Sequence, residues 1–229
     1  MKIYDVKKSF DNFSLHIESL DIPYGKIYGI IGSNGCGKTT FMKLMAGVTQ
    51  PDSGHIDFEG LTARDITMVF RKPYLLHDSV LRNLLYPLKI RKIQPDNEQV
   101  EHLLKIAGLQ DLRDEYALNL SGGEQQKLSL IRALIFFPKL ILVDEGFSNM
   151  DIESVAFFED YILSLHKSQV SESAPTTWVI ISHQLSNIRR LCDHVFFMHE
   201  GDVVASGPTE SIFTSSENAE LSKYLQYVK

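Results

Sequence analysis

The chain has 229 residues, 44% of them hydrophobic, a formal net charge of −6 and two cysteines, Cys36 and Cys192. That length buries one substantial core, while the acidic balance without a basic tail excludes a broad nucleic-acid footprint and direct adhesion to anionic lipid. Two cysteines are too few for a disulfide framework, and no stretch approaches the ~20 apolar residues that span a bilayer.

The opening residues Met1–Val6 lack the apolar segment and cleavage site of a signal peptide. They read as an edge strand, and a cytoplasmic chain is expected. A second strand is predicted over 14–22. The apolar run Ile27–Ile31 gives a third, followed by a glycine-rich turn and a helix from about Lys38 to Ala46. Short strands follow at 55–58 and 66–70. Residues 78–136 carry apolar positions at i, i+3 and i+4, which predicts helices. Leu103, Leu104 and Ala107 form one such face, closed by Gly108. Leu140–Val143 is a continuous apolar run, as expected of a strand buried on both faces of a parallel sheet. Val179–Ile181 and Val195–Met198 read alike, with helices at 152–167 and 184–191 between the strands. This alternation implies an α/β fold with a mainly parallel sheet. An inserted helical segment, 78–136, interrupts a core formed by 1–77 and 137–229.

Two segments carry chemistry on their own. Gly32-Ser33-Asn34-Gly35-Cys36-Gly37-Lys38-Thr39, followed by Thr40, fits a phosphate-binding loop. Its glycines let backbone N–H groups turn around phosphate oxygens. Lys38 reaches the β- and γ-phosphates, Thr39 places a hydroxyl on Mg²⁺, and the following helix points its positive end at the anion. The strand ending in Asp144-Glu145 supplies two acids. Asp144 fits the Mg²⁺ role, and Glu145 lies where it could polarise an attacking water.

Leu120-Ser121-Gly122-Gly123-Glu124-Gln125-Gln126 is a further anion-binding pattern: a serine hydroxyl and bare glycine amides at a helix start. Ser121 also reads as an N-cap. This segment, followed by a helix and the acid-tipped strand, resembles the ABC ATPase family over essentially the whole chain. The resemblance implies a P-loop core with an N-terminal antiparallel β subdomain and an inserted α-helical subdomain. It implies that Ser121, Gly122 and Gly123 meet the γ-phosphate held by a second subunit, in a head-to-tail homodimer sandwiching two ATP. Ser148-Asn149-Met150-Asp151 matches the family's D-loop, with Asp151 the corresponding residue. Ser182-His183-Gln184 matches its switch segment, making His183 the γ-phosphate sensor. Lys8-Ser9-Phe10 resembles the adenine-stacking segment; Phe10 is the first choice, with Phe13 and Tyr4 competing.

The chain departs from the pattern where the family has Gln after the strand at 66–70. Arg71 stands there, and it can neither accept a hydrogen bond nor ligate a metal. A long arginine is expected to turn from Mg²⁺ toward phosphate, the partner subunit, the permease or solvent, with permease or solvent the preferred outcome. Gly146 replaces the usual proline and is expected to loosen the backbone. Cys36, inside the cradle, is expected to be reachable by a thiol reagent and protected by ATP.

The resemblance implies ATP and Mg²⁺ as cofactors, a membrane permease and a solute-binding protein as partners, and no nucleic acid. The segment before Ser121 resembles importers, and Thr67–Leu76 resembles tungstate or molybdate systems. The alternatives are a soluble ABC protein of translation or DNA repair, which this single cassette without heptads does not resemble, and another P-loop enzyme such as a kinase, against which 120–126 argues.

Overall fold

The computed structural model describes residues 1–169, 175–214 and 218–227. A six-stranded sheet runs in the order β5(Ile66–Val69), β6(Leu140–Asp144), β7(Thr177–Ile181), β3(Ile27–Gly32), β8(His194–His199), β9(Asp202–Pro208). All its pairings are parallel except β8 with β9. β3 and β6 are buried at every position. Parallel strands covered on both faces need apolar residues throughout, and the sequence supplies them.

Each strand feeds two cores by its two-residue period. Ile27, Ile31, Ile141, Val143, Trp178 and Ile180 face one side. There they meet α4(Gly122–Leu134), α5(Ile152–Gln169) and α6(Leu185–Leu191). Tyr28, Ile30, Leu140, Leu142, Val179 and Ile181 face the other, against Phe41, Met42 and Met45 of α1(Lys38–Met45). Each fully buried aliphatic side chain contributes ~1.5–3 kcal/mol. Gly29 admits α6 at close range, since a Cβ there would come within 2.7 Å of Ile188 Cγ2.

The opening strand is not at an edge. β1(Lys2–Phe10) is the centre of an antiparallel sheet, β2(Phe13–Asp21)-β1-β4(Ser53–Asp57). Ile3 and Val6 sink into the second core, so both flanks of β1 are paired. The helical region holds α2(Val80–Arg91), α3(Asn97–Ala107) and α4, with two short 3₁₀ turns between α3 and α4. α3 buries Val100, Leu103, Leu104 and Ala107 and ends at left-handed Gly108. Beyond β8 come β9, unforeseen from the sequence, then α7(Thr209–Thr214) and α8(Ala219–Tyr227).

Gly201, between β8 and β9, ties the two sheets to the glycine-rich loop. Its carbonyl accepts from His16 N at 2.9 Å, and its N–H donates to the Cys36 carbonyl at 3.1 Å. Its φ is +88°, and a Cβ would drive into the Ser14 carbonyl. Gly201→Ala is therefore expected to cost at least about 2 kcal/mol, or roughly 4–8 °C in Tm. Gly108→Ala, also left-handed but with open space around it, is expected to cost about 1 kcal/mol. Thermal melts of both variants check this; equal shifts would remove the Ser14 contact from the account.

Candidate functional site

The site lies at the carboxyl ends of β3, β6 and β7, the usual location for ligands in open α/β sheets. β3 ends at Gly32, and the loop 33–37 leads into α1 through Gly37, whose φ is +105°. Phe13 packs against Gly37: a Cβ there would come within 2.7 Å of the Phe13 ring. At Gly35, φ +81° with nothing within 4 Å, the loop is open to the cleft. Lys38 is only 8% exposed. Its Nζ donates to the carbonyls of Gly32 at 2.8 Å and Ser33 at 2.9 Å. Asn34, Gly35, Lys38, Thr39 and Thr40 line one cleft with Phe13.

The Cys36 side chain does not share that cleft. It is 4% exposed and packs in the second core. Burial pushes its thiol pKa up, and the opposing pull of Lys38 is smaller. A thiol reagent therefore meets a shielded, protonated sulfur, contrary to the expectation from sequence. Cys36 faces the site through its backbone alone.

Thr39 Oγ1 donates to Asp144 Oδ1 at 3.1 Å, joining α1 to β6. Asp144 is buried, and desolvation raises its pKa; the Thr39 hydrogen bond pulls the other way. A buried carboxylate of this kind gains from a cation beside it. Among the described residues no group of three or more His, Cys, Asp or Glu could cage a metal. One carboxylate and one hydroxyl instead suit Mg²⁺, which keeps waters and phosphate oxygens as its remaining ligands.

Glu145 follows, in the left-handed region at φ 51°. Its N–H donates to the Ile181 carbonyl at 3.0 Å, which extends the β6–β7 ladder and aims the side chain beyond the sheet. Oε1 lies 2.7 Å from His183 Nε2, at the end of β7. Ser182 beside it is buried, and its hydroxyl accepts from Gln184 N. Arg71 stays largely in solvent, yet its Nε lies 3.1 Å from Glu145 Oε2. The carboxylate offers a site of opposite charge within reach of the extended side chain. With Arg71 67% exposed, the pair is worth only ~0–1 kcal/mol. Arg71 lines the same cleft as Lys38 and Thr39. The substitution of Arg for the family's Gln was the only sequence signal of this contact.

Gly146 is packed tightly: a Cβ there would strike Val143 Cγ1 and come within 3.3 Å of Val69 Cγ1. Its φ is not left-handed, so closeness rather than backbone freedom is what the glycine provides. This replaces the expectation of a loosened backbone.

Phe10 lies at the tip of β1, 52% exposed, with its ring 6.4 Å from Phe13. Phe13, weighed second from the sequence, is the aromatic against the cradle. Ser121, Gly122 and Gly123 are not among the residues lining that cleft. Ser121 caps α4 in a capping box with Glu124, at 3.3 Å and 2.8 Å. Its hydrogen bond is the main cause of a lowered Glu124 pKa. Asp151 also stands apart. Its carboxylate accepts from Ser154 N at 2.7 Å and from the Ser154 hydroxyl at 2.6 Å, and lies 3.6 Å from Lys127. The Ser154 hydroxyl is the first cause of its pKa falling to about 2.

A family profile described as ABC transporter matches residues 15–148. The tungstate uptake system ATP-binding protein TupC of Peptoclostridium acidaminophilum is 37% identical over 208 residues, covering 88% of this chain and 95% of that protein. The methionine import ATP-binding protein MetN 1 of Acinetobacter baylyi is 33% identical over 236 residues, covering 94% of this chain; the chain spans only 65% of that relative's length. A dimeric ATP-binding cassette in a post-hydrolysis state, bound to ADP and Pi, superposes with a TM-score of 0.75 at 23% identity, covering 91% of this chain and 98% of that one. The family profile and the TupC match agree with the cleft at the ends of β3, β6 and β7: the chain belongs to the ABC transporter family, as an ATP-binding ATPase domain.

Proposed function

We propose that the chain hydrolyses ATP to drive a membrane permease in solute import, with an oxyanion of the tungstate class as cargo. The observation that carries the ATPase chemistry is the convergence of Lys38, the Thr39–Asp144 pair and the Glu145–His183 pair on one sheet edge. The cargo reading rests on TupC, whose length the chain covers almost completely.

In this reading the amides of Ser33, Asn34, Gly35, Cys36 and Gly37 cradle the phosphates, with Gly32 setting the turn and Thr40 behind it. Lys38 leaves its two loop carbonyls for the β- and γ-phosphates, exchanging neutral acceptors for charged ones. The adenine stacks on Phe10, which stands exposed beside Phe13. Thr39 and Asp144 hold Mg²⁺, which supplies charge neutralisation at the phosphates when bound. Glu145 accepts a proton from water as the water oxygen bonds to the γ-phosphorus. The bond to the β–γ bridging oxygen breaks, and ADP leaves with that electron pair. His183 orients Glu145 through Oε1 and senses the γ-phosphate.

Ser121, Gly122, Gly123 and Asp151 stand apart from the cleft of their own chain, which supports a homodimer in which a second copy closes each site. The core is taken as 1–77 and 137–229, and the signature subdomain as 78–136. Among the described residues no helix is long and apolar enough to cross a membrane. A groove beside α2, with Leu76, Leu85, Leu88 and Ile93 on its walls and Asp78, Arg82 and Lys89 among them, suits a short amphipathic permease helix. Exposed Tyr74 and Tyr86 nearby add apolar area. The protein thus sits on the cytoplasmic face of a membrane, with a solute-binding protein on the far side.

Three outcomes are expected. Lys38→Ala should weaken ATP binding at least about a hundredfold, because it removes the charge that pairs with two phosphates; calorimetric titration measures this, and parental affinity would sink the cradle assignment. Glu145→Gln keeps the shape but loses the base. Hydrolysis should fall at least about a hundredfold while ATP still binds, so an ATP-dependent dimer should accumulate on size-exclusion chromatography. Turnover at the parental rate would remove Glu145 from its role. Finally, iodoacetamide at pH 8 should modify Cys36 slowly in the native chain, whether or not ATP is present, and readily once the chain is unfolded; mass spectrometry of the peptide reads this, and fast native labelling would contradict the buried thiol.

A further inference from the structure

Both oxygens of Glu145 are engaged: Oε1 by His183 and Oε2 by Arg71. Each oxygen keeps a second acceptor site, but the guanidinium beside Oε2 offsets the negative charge that draws a proton from water, so Glu145 gains as a base when that partner leaves. Of the two, Arg71 is the more exposed: 67% of its side chain is open to solvent, against 45% for His183. Arg71 also projects from the segment after β5 into the cleft that holds Lys38, Thr39 and Thr40. In the proposed function that cleft receives the terminal phosphate. The ion pair runs through Nε, and a guanidinium has five N–H donors in a planar fork. A terminal phosphate offers three oxygens and more charge than one carboxylate, and the fork can engage it at two points.

We propose that Arg71 is a phosphate-responsive substrate-binding residue: it sits on Glu145 until a γ-phosphate enters the cleft, then moves to that phosphate and frees Oε2 for water. This rests on the reading of the cleft as an ATPase site and adds to it, beside His183, a second way of telling ATP from ADP. Neither Lys38 nor the loop amides make that distinction alone, since both also contact phosphates that ADP retains. The exchange lets one side chain withhold the base from stray water and deliver positive charge where negative charge builds up. A second contact supports a defined path for the movement. Gln126 Nε2, buried behind the signature, donates to the Phe70 carbonyl at 3.3 Å. The backbone just before Arg71 is thereby pinned while the side chain stays free to swing.

The test uses the full chain with Mg²⁺ and two probes, ADP and the non-hydrolysable imido analogue of ATP. Arg71→Gln replaces an exposed side chain and leaves the buried layers untouched. By calorimetry it should weaken the ATP analogue about tenfold, the worth of one charge-assisted hydrogen bond. ADP should bind within about twofold of the parental affinity, since it lacks the group that Arg71 contacts. A second readout follows the atom itself. The Nε–H resonance of Arg71, assigned by its loss in Arg71→Gln, should shift with the ATP analogue and stay in place with ADP. Equal weakening of both nucleotides, no weakening of either, or a resonance that ignores the analogue would overturn the proposal. Those failures are separate from failure of the site itself, in which the parental chain binds neither nucleotide.

Discussion

Burying Leu140, Ile141, Leu142 and Val143 within the large sheet forces the chain to spend its two acids at the strand's end. Asp144 is the last residue that still pairs with β7, opposite Ile181, and it stays buried with its carboxylate turned to Thr39. Glu145 leaves the ladder through a left-handed backbone and emerges into the cleft. The rest of the site follows from that step. β7, in parallel register with β6, brings His183 to one oxygen. β5, on the other flank of β6, brings Arg71 to the second. β3, beyond β7, delivers the phosphate loop to the same edge. Had any of these strands run antiparallel, its loop would lie at the opposite end.

The electrostatic arrangement is graded by burial. Asp144 is desolvated and disfavours its own charge, so it is a ready place for a cation. Lys38, almost fully buried, meets its need for acceptors with two loop carbonyls. Both contacts are to neutral groups and are the kind a phosphate can replace. The Arg71–Glu145 pair is more exposed and correspondingly weak. Strong contacts thus fix the backbone of the loop and strands, while weak ones hold the side chains that must change partners.

What was legible in the sequence was whatever lies contiguous along it. The phosphate loop, the acid-tipped strand and the capped signature each carry their meaning within eight residues. The core strands announced themselves by unbroken apolar runs. Contacts made in three dimensions were another matter. Arg71 and Glu145 are distant in sequence, and solvent looked as good a destination for a long cation as any. β1 passed for an edge strand because its exposed positions, Tyr4 and Asp5, are polar or aromatic; its second partner, β4, lies fifty residues on. β9 escaped notice because it alternates half-buried and exposed positions with small residues, Ala205, Ser206 and Gly207, rather than forming an apolar run. The Cys36 thiol points into the core although its neighbours form the cleft, a side-chain direction that residue type does not encode.

The signature does not line the cleft of its own chain. Its capping box is closed within the chain, Ser121 and Glu124 satisfying one another. Ser121 and Gly122 are nonetheless exposed, and a Cβ on Gly122 would meet nothing within 4 Å. Gly123 lies against the Asn149 carbonyl, so the signature and the D-loop segment form one surface. That surface is joined through buried Gln126 to Phe70, the residue before Arg71. Asp151 is locked onto Ser154 and near Lys127 of the signature helix, and so braces this surface. Ser121 and Gln126 lie about one and a half helical turns apart on α4, so the exposed start of the signature and the backbone before Arg71 are held by the same stretch of helix.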